Sequence, residues 1–471
     1  MQGDNEIKFG TDGWRGIISD NFTFKNVRRI ARAIALYYNQ HSKGHVSMAV
    51  GFDTRFLSEQ YAASLSDVLS QNGITVILSD RAIPTPALSF AVRRRKLTSG
   101  VMITASHNPG AYNGVKIKTA SGGAAGVEVT DEVERLLAVD TVSETTTKGA
   151  VKTADLSKEY VKFLRSYIEF SKIKNARLRV LVDVMHGSGN GFIAQVLKGS
   201  RIKLEFMRPE RNPWFGGLRP EPIPENLEET ARRMKNEKFD ICLVLDGDAD
   251  RIAAVLPGGI FVSPQKILGL LALHLFQDRR MKGGVVKTIV GTNLLDSLTK
   301  DLGLKLYETP VGFKYISHLM DTEDILVGGE EAGGMGFKNY IPERDGTLAG
   351  LLLLEMIAYR KKSMPRILAE MEKKYGQYYY VRSDLKMKNP GVDIAGFKAT
   401  KEILGKKVTG VKDYDGIKLT LSDGSWLMFR GSGTEPIMRV YAESTSLTKS
   451  KRLLALGEKM VLDLERRQDT V

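Results

Sequence analysis

Segments with strand character and segments with helix character alternate along most of this chain. The first set predicts a strand at 46–51, a helix at 58–72, a strand at 75–78, a helix at 87–97 and a strand at 100–103. Strands that are joined through helices pair in parallel, with right-handed crossovers. The alternation therefore predicts an α/β fold with a parallel sheet in the first part of the chain.

The alternation restarts twice and then stops. A polar, Thr-rich stretch at 139–153 precedes the second set, and a helix at 265–276 opens the third. After a helix at 364–375 the pattern changes to several strand-like runs and a closing amphipathic helix at 447–466, which is typical of an α+β domain. We therefore expect three related α/β domains and a smaller α+β domain. The predicted boundaries are 1–147, 148–260, 261–370 and 371–471.

Composition limits the classes of partner and the cellular location. The 471 residues include 69 Lys and Arg against 55 Asp and Glu, a net charge of +14. The basic residues are scattered and form no aromatic-interleaved stripe, so no nucleic-acid partner is expected. The surplus is typical of a solvated basic surface, and a narrower interpretation is that its field draws in small anions such as phosphate esters. The lone Cys242 excludes an intrachain disulfide and fits a reducing compartment. No signal-peptide pattern stands at the start and no apolar run reaches the ~20 residues of a membrane span, so a cytoplasmic protein with no membrane partner is predicted.

The loop after the strand at 100–103 carries the first chemical signal. It reads Thr-Ala-Ser-His-Asn-Pro-Gly-Ala-Tyr at 104–112, and Pro109 and Gly110 force a turn that presents the polar side chains, with Lys116 shortly after. Ser106 has three readings: a hydrolase nucleophile with His107 as its base, a phosphate carrier, or a plain polar turn. The hydrolase reading is weak because adjacent residues of an extended strand point to opposite faces and no glycine-flanked serine elbow is present.

Three carboxylates at alternate positions follow the predicted strand at 241–245. Asp246, Asp248 and Asp250 offer oxygen ligands without sulfur or imidazole, which suits a hard cation such as Mg²⁺ or Ca²⁺. An EF-hand loop is disfavoured, because Arg251 occupies the position of its invariant glycine and Pro257 that of its bidentate Glu. A haloacid-dehalogenase-type phosphatase also begins Asp-x-Asp, but Asp250 stands where Thr or Val normally follows.

Two further loops contain groups that suit a sugar phosphate. At 328–334 the chain reads Gly-Gly-Glu-Glu-Ala-Gly-Gly, and acidic side chains such as Glu330 accept hydrogen bonds from sugar hydroxyls. At 430–436 it reads Arg-Gly-Ser-Gly-Thr-Glu-Pro, which joins a guanidinium, two hydroxyls and exposed backbone N–H groups in a predicted phosphate clamp. Each loop taken alone is also compatible with an ordinary glycine-rich turn.

The four loops, in this order and together with Phe-Gly-Thr-Asp-Gly-Trp-Arg-Gly at 9–16, resemble the α-D-phosphohexomutase family over nearly the whole chain. The resemblance implies three α/β domains with mixed sheets and a fourth, α+β domain around a central cleft. It also implies Mg²⁺ as cofactor, sugar phosphates as substrates, and glucose 1,6-bisphosphate as activator and intermediate. By resemblance the serine is phosphorylated and the aspartates bind the metal. The residues assigned in this way are Ser106, Asp246, Asp248 and Asp250 for the metal, and Glu330, Arg251, Arg430, Ser432, Gly433 and Thr434 for the substrate.

Further roles follow from the same resemblance. Lys116 and Arg15 match family positions near the serine, and we assign proton handling to Lys116 and electrostatic stabilisation to Arg15, since Arg is a poor general base. His107 is kept among the catalytic candidates, as a neighbour that contacts the phosphate or supports the loop. The segment 309–315 aligns with the family's specificity loop and adds Gly312 and Phe313 as substrate-binding candidates.

The predicted activity is reversible phosphoryl transfer between C1 and C6 of a hexose phosphate, through phosphoserine and a bisphosphorylated sugar. Phosphoglucomutase ranks first, because Glu330-Glu331 differs from the Gln that is usual in the phosphoglucosamine branch, and phosphomannomutase or a dual-specificity enzyme ranks second. One departure from the family is Ala332, where a serine is common, which removes a hydroxyl expected to bind the sugar. A non-catalytic phosphosugar-binding protein is the alternative from another class. The chain is expected to be a monomer or a homodimer.

Overall fold

The chain forms two compact units. The computed structural model describes residues 7–10, 12–138, 148–388, 392–431 and 436–468. The first unit comprises Met1–Gly283 and Gly312–Ile367, and the second comprises Gly284–Val311 and Leu368–Val471. Within the described ranges, no helix is both long enough and apolar enough to span a lipid bilayer.

The first sheet of the first unit has six strands in the order β1-β5-β4-β2-β3-β6. Its elements are β1 (Trp14–Ile17), α1 (Phe24–His41), β2 (Ser47–Phe52), α2 (Ser58–Gln71), β3 (Thr75–Ser79), α3 (Thr85–Arg94), β4 (Ser99–Ile103), β5 (Tyr112–Lys118), α4 (Val127–Leu136) and β6 (Val151–Ala154). The predicted alternation of strands and helices is confirmed for β2 through β4, which pair in parallel. The last strand, β6, extends this parallel set by pairing with β3.

The sheet is mixed, as the resemblance implied, because one of its edges is antiparallel. β5 runs antiparallel to β4, and β1 runs antiparallel to β5. The polar loop between β4 and β5 is too short to hold a crossover helix, so the chain must return as a hairpin. As a result Lys116 lies on β5, opposite Met102 of β4, and not in the loop after β4 in which the sequence pattern predicted it.

Helix α1 shows how the sequence forms these elements locally. Thr23 caps its start, because its side-chain oxygen accepts a hydrogen bond from the Asn26 N–H. Val27, Ile30 and Ile34 follow at helical spacing and are fully buried in the core of this sheet.

The second sheet has five strands in the order β11-β10-β9-β7-β8. Its elements are α5 (Lys158–Tyr167), α6 (Phe170–Ile173), β7 (Arg179–Asp183), α7 (Phe192–Val196), β8 (Lys203–Met207), α8 (Glu228–Asn236), β9 (Ile241–Leu245), β10 (Ile252–Leu256) and β11 (Ile260–Val262). β7, β8 and β9 are parallel, whereas β10 turns back antiparallel to β9. Every residue of β9 is buried, which explains its unbroken apolar sequence.

The third set of elements is divided between the two units. It consists of α9 (Pro264–Leu273), a π-helical turn at His274–Asp278, β12 (Gly284–Thr288), α10 (Asn293–Leu302), β13 (Leu306–Thr309), α11 (Phe313–Thr322), β14 (Ile325–Gly329), β15 (Met335–Phe337), α12 (Gly346–Arg360) and α13 (Met364–Tyr375). In the first unit β14 pairs antiparallel with β15. In the second unit β12 pairs parallel with β13.

The remainder of the second unit is the expected α+β domain. Its elements are β16 (Tyr379–Lys386), β17 (Glu402–Ile403), β18 (Lys406–Lys412), β19 (Ile417–Leu421), β20 (Trp426–Gly431), β21 (Ile437–Ser444) and α14 (Leu447–Gln468). The strands pair antiparallel in the order β16-β21-β20-β19-β18-β17. Leu453 and Val461 of α14 are fully buried in the core formed with the sheet. Strands followed by a closing helix are therefore confirmed here.

Candidate active site

Ser106 lies in the turn that follows β4, with its hydroxyl directed at a carboxylate. Its Oγ donates a hydrogen bond to Asp246 Oδ2 at 2.9 Å, across 140 residues of chain. The residue is 1% exposed and has a φ of 50°, in the left-handed region that residues with a side chain rarely adopt. The Ser106 N–H donates to Thr104 Oγ1 at 2.9 Å. The turn therefore holds the serine in one orientation, toward the aspartate loop.

The aspartate loop brings three fully buried carboxylates together at the end of β9. One oxygen from each of Asp246, Asp248 and Asp250 lies within 4.8 Å of the others. Asp248 Oδ1 and Asp250 Oδ1 accept no hydrogen bond within the described residues. Buried carboxylate oxygens without donors are the ligands that a hard cation prefers, so this group fits Mg²⁺.

The electrostatics of the loop also favour a cation. Burial, with repulsion from Asp250 and Asp248, raises the pKa of Asp246 well above its usual range. Burial acts in the same direction on Asp248, but the Lys116 ammonium and a hydrogen bond from Thr85 hold the pKa of Asp248 below its usual value. Three carboxylates in one buried site repel each other, and added positive charge relieves that repulsion.

Lys116 supplies positive charge to the same site. Its Nζ lies 2.8 Å from Asp248 Oδ2, 2.9 Å from Asp250 Oδ2 and 2.9 Å from Asp12 Oδ2. Burial lowers the pKa of Lys116, but the three carboxylates outweigh burial and raise it above its usual value. In this arrangement Lys116 is an ammonium group, which can donate but not accept a proton.

Of the other two predicted catalytic residues, Arg15 contacts the serine loop from β1 and His107 lies within that loop. Arg15 Nη1 donates to Asn108 Oδ1 at 2.6 Å, and burial lowers the pKa of the Arg15 guanidinium. His107 Nδ1 lies 3.5 Å from Ser106 Oγ, at the outer limit of a hydrogen bond. The shorter contact of Ser106 Oγ is with Asp246, so the geometry favours the metal loop over His107 as the partner of the serine.

Glu330, the predicted sugar ligand, follows β14 and is 8% exposed. Its Oε2 accepts a hydrogen bond from Arg344 Nη1 at 3.1 Å, and burial raises the pKa of its carboxyl group. Arg344 Nη2 donates to Asp250 Oδ2 at 2.8 Å and also to Asp12 Oδ2. One guanidinium thus joins the predicted sugar loop to the predicted metal loop.

The remaining predicted substrate residues of the first unit are largely buried. Arg251 is 9% exposed. Its backbone N–H donates to Asp246 Oδ1 at 3.1 Å, and its side-chain Nη1 lies 3.9 Å from Glu221 Oε1. Gly312 has a φ of 130° and precedes α11. Phe313 is 2% exposed, with Arg344 Cζ 5.5 Å from its ring centroid. Phe313 therefore packs against the guanidinium of Arg344 and offers little surface to a ligand.

The predicted phosphate clamp belongs to the second unit. Arg430 lies at the end of β20, where its Nε donates to Asp415 Oδ1 at 2.8 Å. Ser432, Gly433 and Thr434 fall outside the described residues. Their role stays a prediction.

Four residues with close contacts in this site received no role from the sequence. Asp12 lies in the segment 9–16, and only its ion pairs with Lys116 and Arg344 show that it belongs to the site. Arg344 had no pattern to mark it. Arg55 lies two residues after Asp53, in the loop that follows the buried strand β2. The carboxyl end of β2 lies beside that of β4, so the rule that parallel strands end at the same edge of a sheet could have located Arg55. Thr85 was not recognisable, because its contact with Asp248 spans 163 residues.

Three family models match this chain in sequence order. They describe α/β/α domains I, II and III of phosphoglucomutase/phosphomannomutase and cover residues 6–142, 158–259 and 263–375. Together they span more than half of the chain and include the Ser106, aspartate and Glu330 loops.

Relatives of nearly equal length carry several activity names. A phosphoglucomutase/phosphomannomutase of Thermococcus kodakarensis is 30% identical over 455 residues, 96% of this chain and 98% of the relative. A phosphoglucosamine/phosphogalactosamine mutase of Sulfurisphaera tokodaii is 29% identical and covers 96% of this chain and 98% of its own. A crystal structure from Thermus thermophilus whose description names a phosphomannomutase has a TM-score of 0.87 at 35% identity, over 98% of this chain and 100% of that one. This chain belongs to the α-D-phosphohexomutase family and is a phosphohexomutase.

Proposed function

We propose that this protein interconverts the 1-phosphate and 6-phosphate of a hexose through phosphorylated Ser106, with glucose as the preferred sugar. The observation that carries the proposal is the 2.9 Å hydrogen bond from Ser106 Oγ to Asp246, which links the serine to three buried carboxylates. A serine bonded to a carboxylate of a candidate cation site, with His107 Nδ1 farther away at 3.5 Å, suits a phosphate carrier better than a hydrolase nucleophile with a histidine base.

The proposed metal ligands are Ser106, once phosphorylated, and Asp246, Asp248 and Asp250. Mg²⁺ bound there supplies positive charge to the oxygens of the transferring phosphoryl group, which is the main catalytic requirement of this chemistry. The chain's own cations, Lys116 and Arg15, add to that charge from β5 and β1. Thr85 and Lys116 orient Asp248 by hydrogen bonding to its Oδ2.

In the proposed reaction, the bond between phosphorus and Ser106 Oγ breaks while a bond forms to the free hydroxyl of the hexose phosphate. As Lys116 gives its proton to the leaving seryl oxygen, its amine takes the proton of that hydroxyl, so one proton moves in total from the sugar to Ser106 and the product is a bisphosphorylated sugar. The sugar then reorients and returns its other phosphoryl group to Ser106. Lys116 is the proposed proton-handling group, and its ammonium form can protonate the leaving seryl oxygen. His107 is proposed to contact the phosphate.

Sugar recognition is assigned to two further groups. Glu330 is proposed to accept hydrogen bonds from the sugar hydroxyls, with Gly312 and Phe313 shaping the same region and Arg251 near the ring. Arg430, Ser432, Gly433 and Thr434 are proposed to hold the phosphate that is not transferred. Ala332 lacks the hydroxyl that is common in the family, so the sugar ring loses one contact there.

Two other sugars are candidates on the basis of the relatives. Mannose is the second choice, because the Thermococcus kodakarensis relative is named for glucose and mannose together. Glucosamine follows, since the Sulfurisphaera tokodaii relative is named for amino sugars. The Glu330-Glu331 pair supports the neutral sugars.

A comparison of kcat/KM for the 1-phosphates of glucose, mannose, glucosamine and ribose, with Mg²⁺ and glucose 1,6-bisphosphate, tests the proposal. Glucose 1-phosphate is expected to give the highest value. A higher value for glucosamine 1-phosphate would overturn the choice of sugar.

Ser106→Ala is expected to remove turnover while sugar-phosphate binding is kept. Full turnover by Ser106→Ala would overturn the phosphoserine mechanism, and an inactive wild-type protein phosphorylated on Ser106 would favour a binding protein.

A further inference from the structure

Arg55 is a fully buried arginine whose hydrogen bonds converge on the serine loop. It lies between β2 and α2 and is 0% exposed. Its Nη2 donates to the carbonyl oxygens of Ser106 and Asn108, both at 2.6 Å. Its Nη1 donates to the carbonyl oxygens of Pro109 at 2.8 Å and Tyr112 at 3.0 Å. Four carbonyl groups of one short loop therefore share one cation.

The guanidinium is itself held on its remaining sides. Its Nε donates to Asp53 Oδ2 at 3.1 Å, so each of its five N–H groups has a partner. Asp53 in turn accepts hydrogen bonds from Thr104 at 2.6 Å and Ser58 at 2.8 Å. The ring of Phe215 covers one face of the guanidinium, with its centroid 4.7 Å from Cζ. Arg55 is thus fixed before any ligand binds.

This arrangement accounts for the backbone of Ser106. A left-handed conformation is unfavourable for a residue with a side chain, and it persists only where the surrounding structure holds it in place. The carbonyl groups of Ser106 and Asn108 would also lose the donor that Arg55 supplies if the guanidinium were absent. The same turn directs Ser106 Oγ at Asp246.

We propose that Arg55 is a positioning residue for phosphoryl transfer at Ser106, an inference that rests on the proposed function. Arg55 reaches the reaction only through the main chain, because all its N–H groups are bound to Asp53 and to loop carbonyls. Lysine cannot replace it, since a single ammonium has three donors and no planar fork. Loss of the fork shifts the serine while the sugar-binding residues stay in place.

The test compares Arg55→Lys with a matched control, Arg165→Lys. Arg165 also donates to main-chain carbonyls, those of Val196 and Lys198, and also stacks on a phenylalanine, Phe170, at 3.7 Å. Because a misplacement of about 1 Å at a reacting atom costs about 100-fold in rate, Arg55→Lys is expected to lower kcat by about that factor with KM nearly unchanged. The single-turnover transfer of phosphate from glucose 1,6-bisphosphate to Ser106, followed by intact-protein mass, should slow to the same extent. Arg165→Lys should keep both rates.

Two further measurements distinguish a positioning role of Arg55 from a role in folding alone. Thermal unfolding identifies the folded variants, and if Arg55→Lys does not fold, Phe215→Leu replaces it, because that change keeps all five hydrogen bonds and removes only the aromatic face. A several-fold fall in kcat at constant KM in Phe215→Leu supports the inference, and an unchanged kcat overturns it. Equal kcat values in Arg55→Lys and Arg165→Lys also overturn it. A wild-type protein that is inactive on every hexose 1-phosphate contradicts the proposed function instead.

Discussion

At the scale of single residues, the site depends on close approach between the serine loop and the aspartate loop. Gly247, between Asp246 and Asp248, lies where an added Cβ would come 2.5 Å from the carbonyl oxygen of Ser106 and 3.2 Å from Pro220. The nearer obstacle has little freedom to move, because Arg55 holds that same carbonyl at 2.6 Å. Only glycine fits there, for reasons of space and not of backbone conformation.

Replacement of Gly247 by alanine is therefore expected to separate Ser106 from Asp246. A shift of about 1 Å should lower kcat by about 100-fold, with a modest loss of stability. The control is Gly396→Ala, because an added Cβ at Gly396 meets nothing within 4 Å. Steady-state kinetics and thermal melts of both variants check the prediction, which fails if Gly247→Ala turns over as fast as Gly396→Ala.

At the scale of elements, the π-helical turn at His274–Asp278 is tied to α12 by a buried charge network. His274 is 0% exposed and uses both ring nitrogens, with Nδ1 2.9 Å from Asp278 Oδ2 and Nε2 2.9 Å from Glu355 Oε1. Arg360 Nε donates to the same Asp278 oxygen at 2.8 Å. Because each ring nitrogen faces a carboxylate, the arrangement favours the charged form of the imidazole.

This network predicts a pH dependence of stability. Burial lowers the pKa of His274, but its hydrogen bonds to Asp278 and Glu355 outweigh burial and raise it above the ordinary value of 6.5. The stabilisation is therefore complete below pH 6.5 and is lost as the pH rises through the folded-state pKa. The free energy of unfolding, measured by denaturant titration across this range, should fall with rising pH by the contribution of one histidine.

The variants that test this assignment are His274→Gln and the exposed His45→Gln. His274→Gln should flatten the fall in unfolding free energy above pH 6.5, because glutamine does not titrate there. His45→Gln should leave the fall unchanged. An identical pH profile in wild type and His274→Gln would contradict the assignment.

The elements also show where sequence patterns were sufficient. β4, β9 and β14 were located correctly because each is an apolar run that ends in a polar, glycine-containing loop. β5 was missed, since its sequence, Tyr-Asn-Gly-Val-Lys-Ile-Lys, contains two buried lysines that resemble a solvated segment. Lys118 and Lys116 are tolerated there only because Glu343, Asp12 and Asp248 neutralise them from distant parts of the chain.

At the scale of the whole molecule, the first unit carries a buried polar network that a metal ion would complete. Asp12, Asp250 and Glu330 come from three separate regions of the sequence and meet at Arg344. A buried charge network is stabilising only when its members are satisfied. Asp248 Oδ1 and Asp250 Oδ1 still have no hydrogen-bond donor among the described residues.

Mg²⁺ is therefore expected to stabilise the folded protein. A ligand that binds only the native state adds about 2.7 kcal/mol at 100 times its Kd, so the thermal midpoint should rise with added Mg²⁺ and return to its starting value with a chelator. Asp248→Asn should lose most of this shift, because it removes one charged ligand. Differential scanning calorimetry of both proteins is the measurement, and an equal shift in both would place the ion elsewhere.

The sequence alone was sufficient for the succession of α/β units, the closing α+β domain and the loops that hold Ser106, Asp246, Glu330 and Arg430. These features are local, because hydrophobic periodicity and turn residues act over a few positions. Only the tertiary structure decided that β5 returns antiparallel to β4 and that Arg55 donates hydrogen bonds to the serine loop. It alone also decided that Asp12 lies in contact with both Lys116 and Arg344. Those contacts join residues far apart in the chain, and their free energy depends on burial, charge and distance that exist only once the chain has folded.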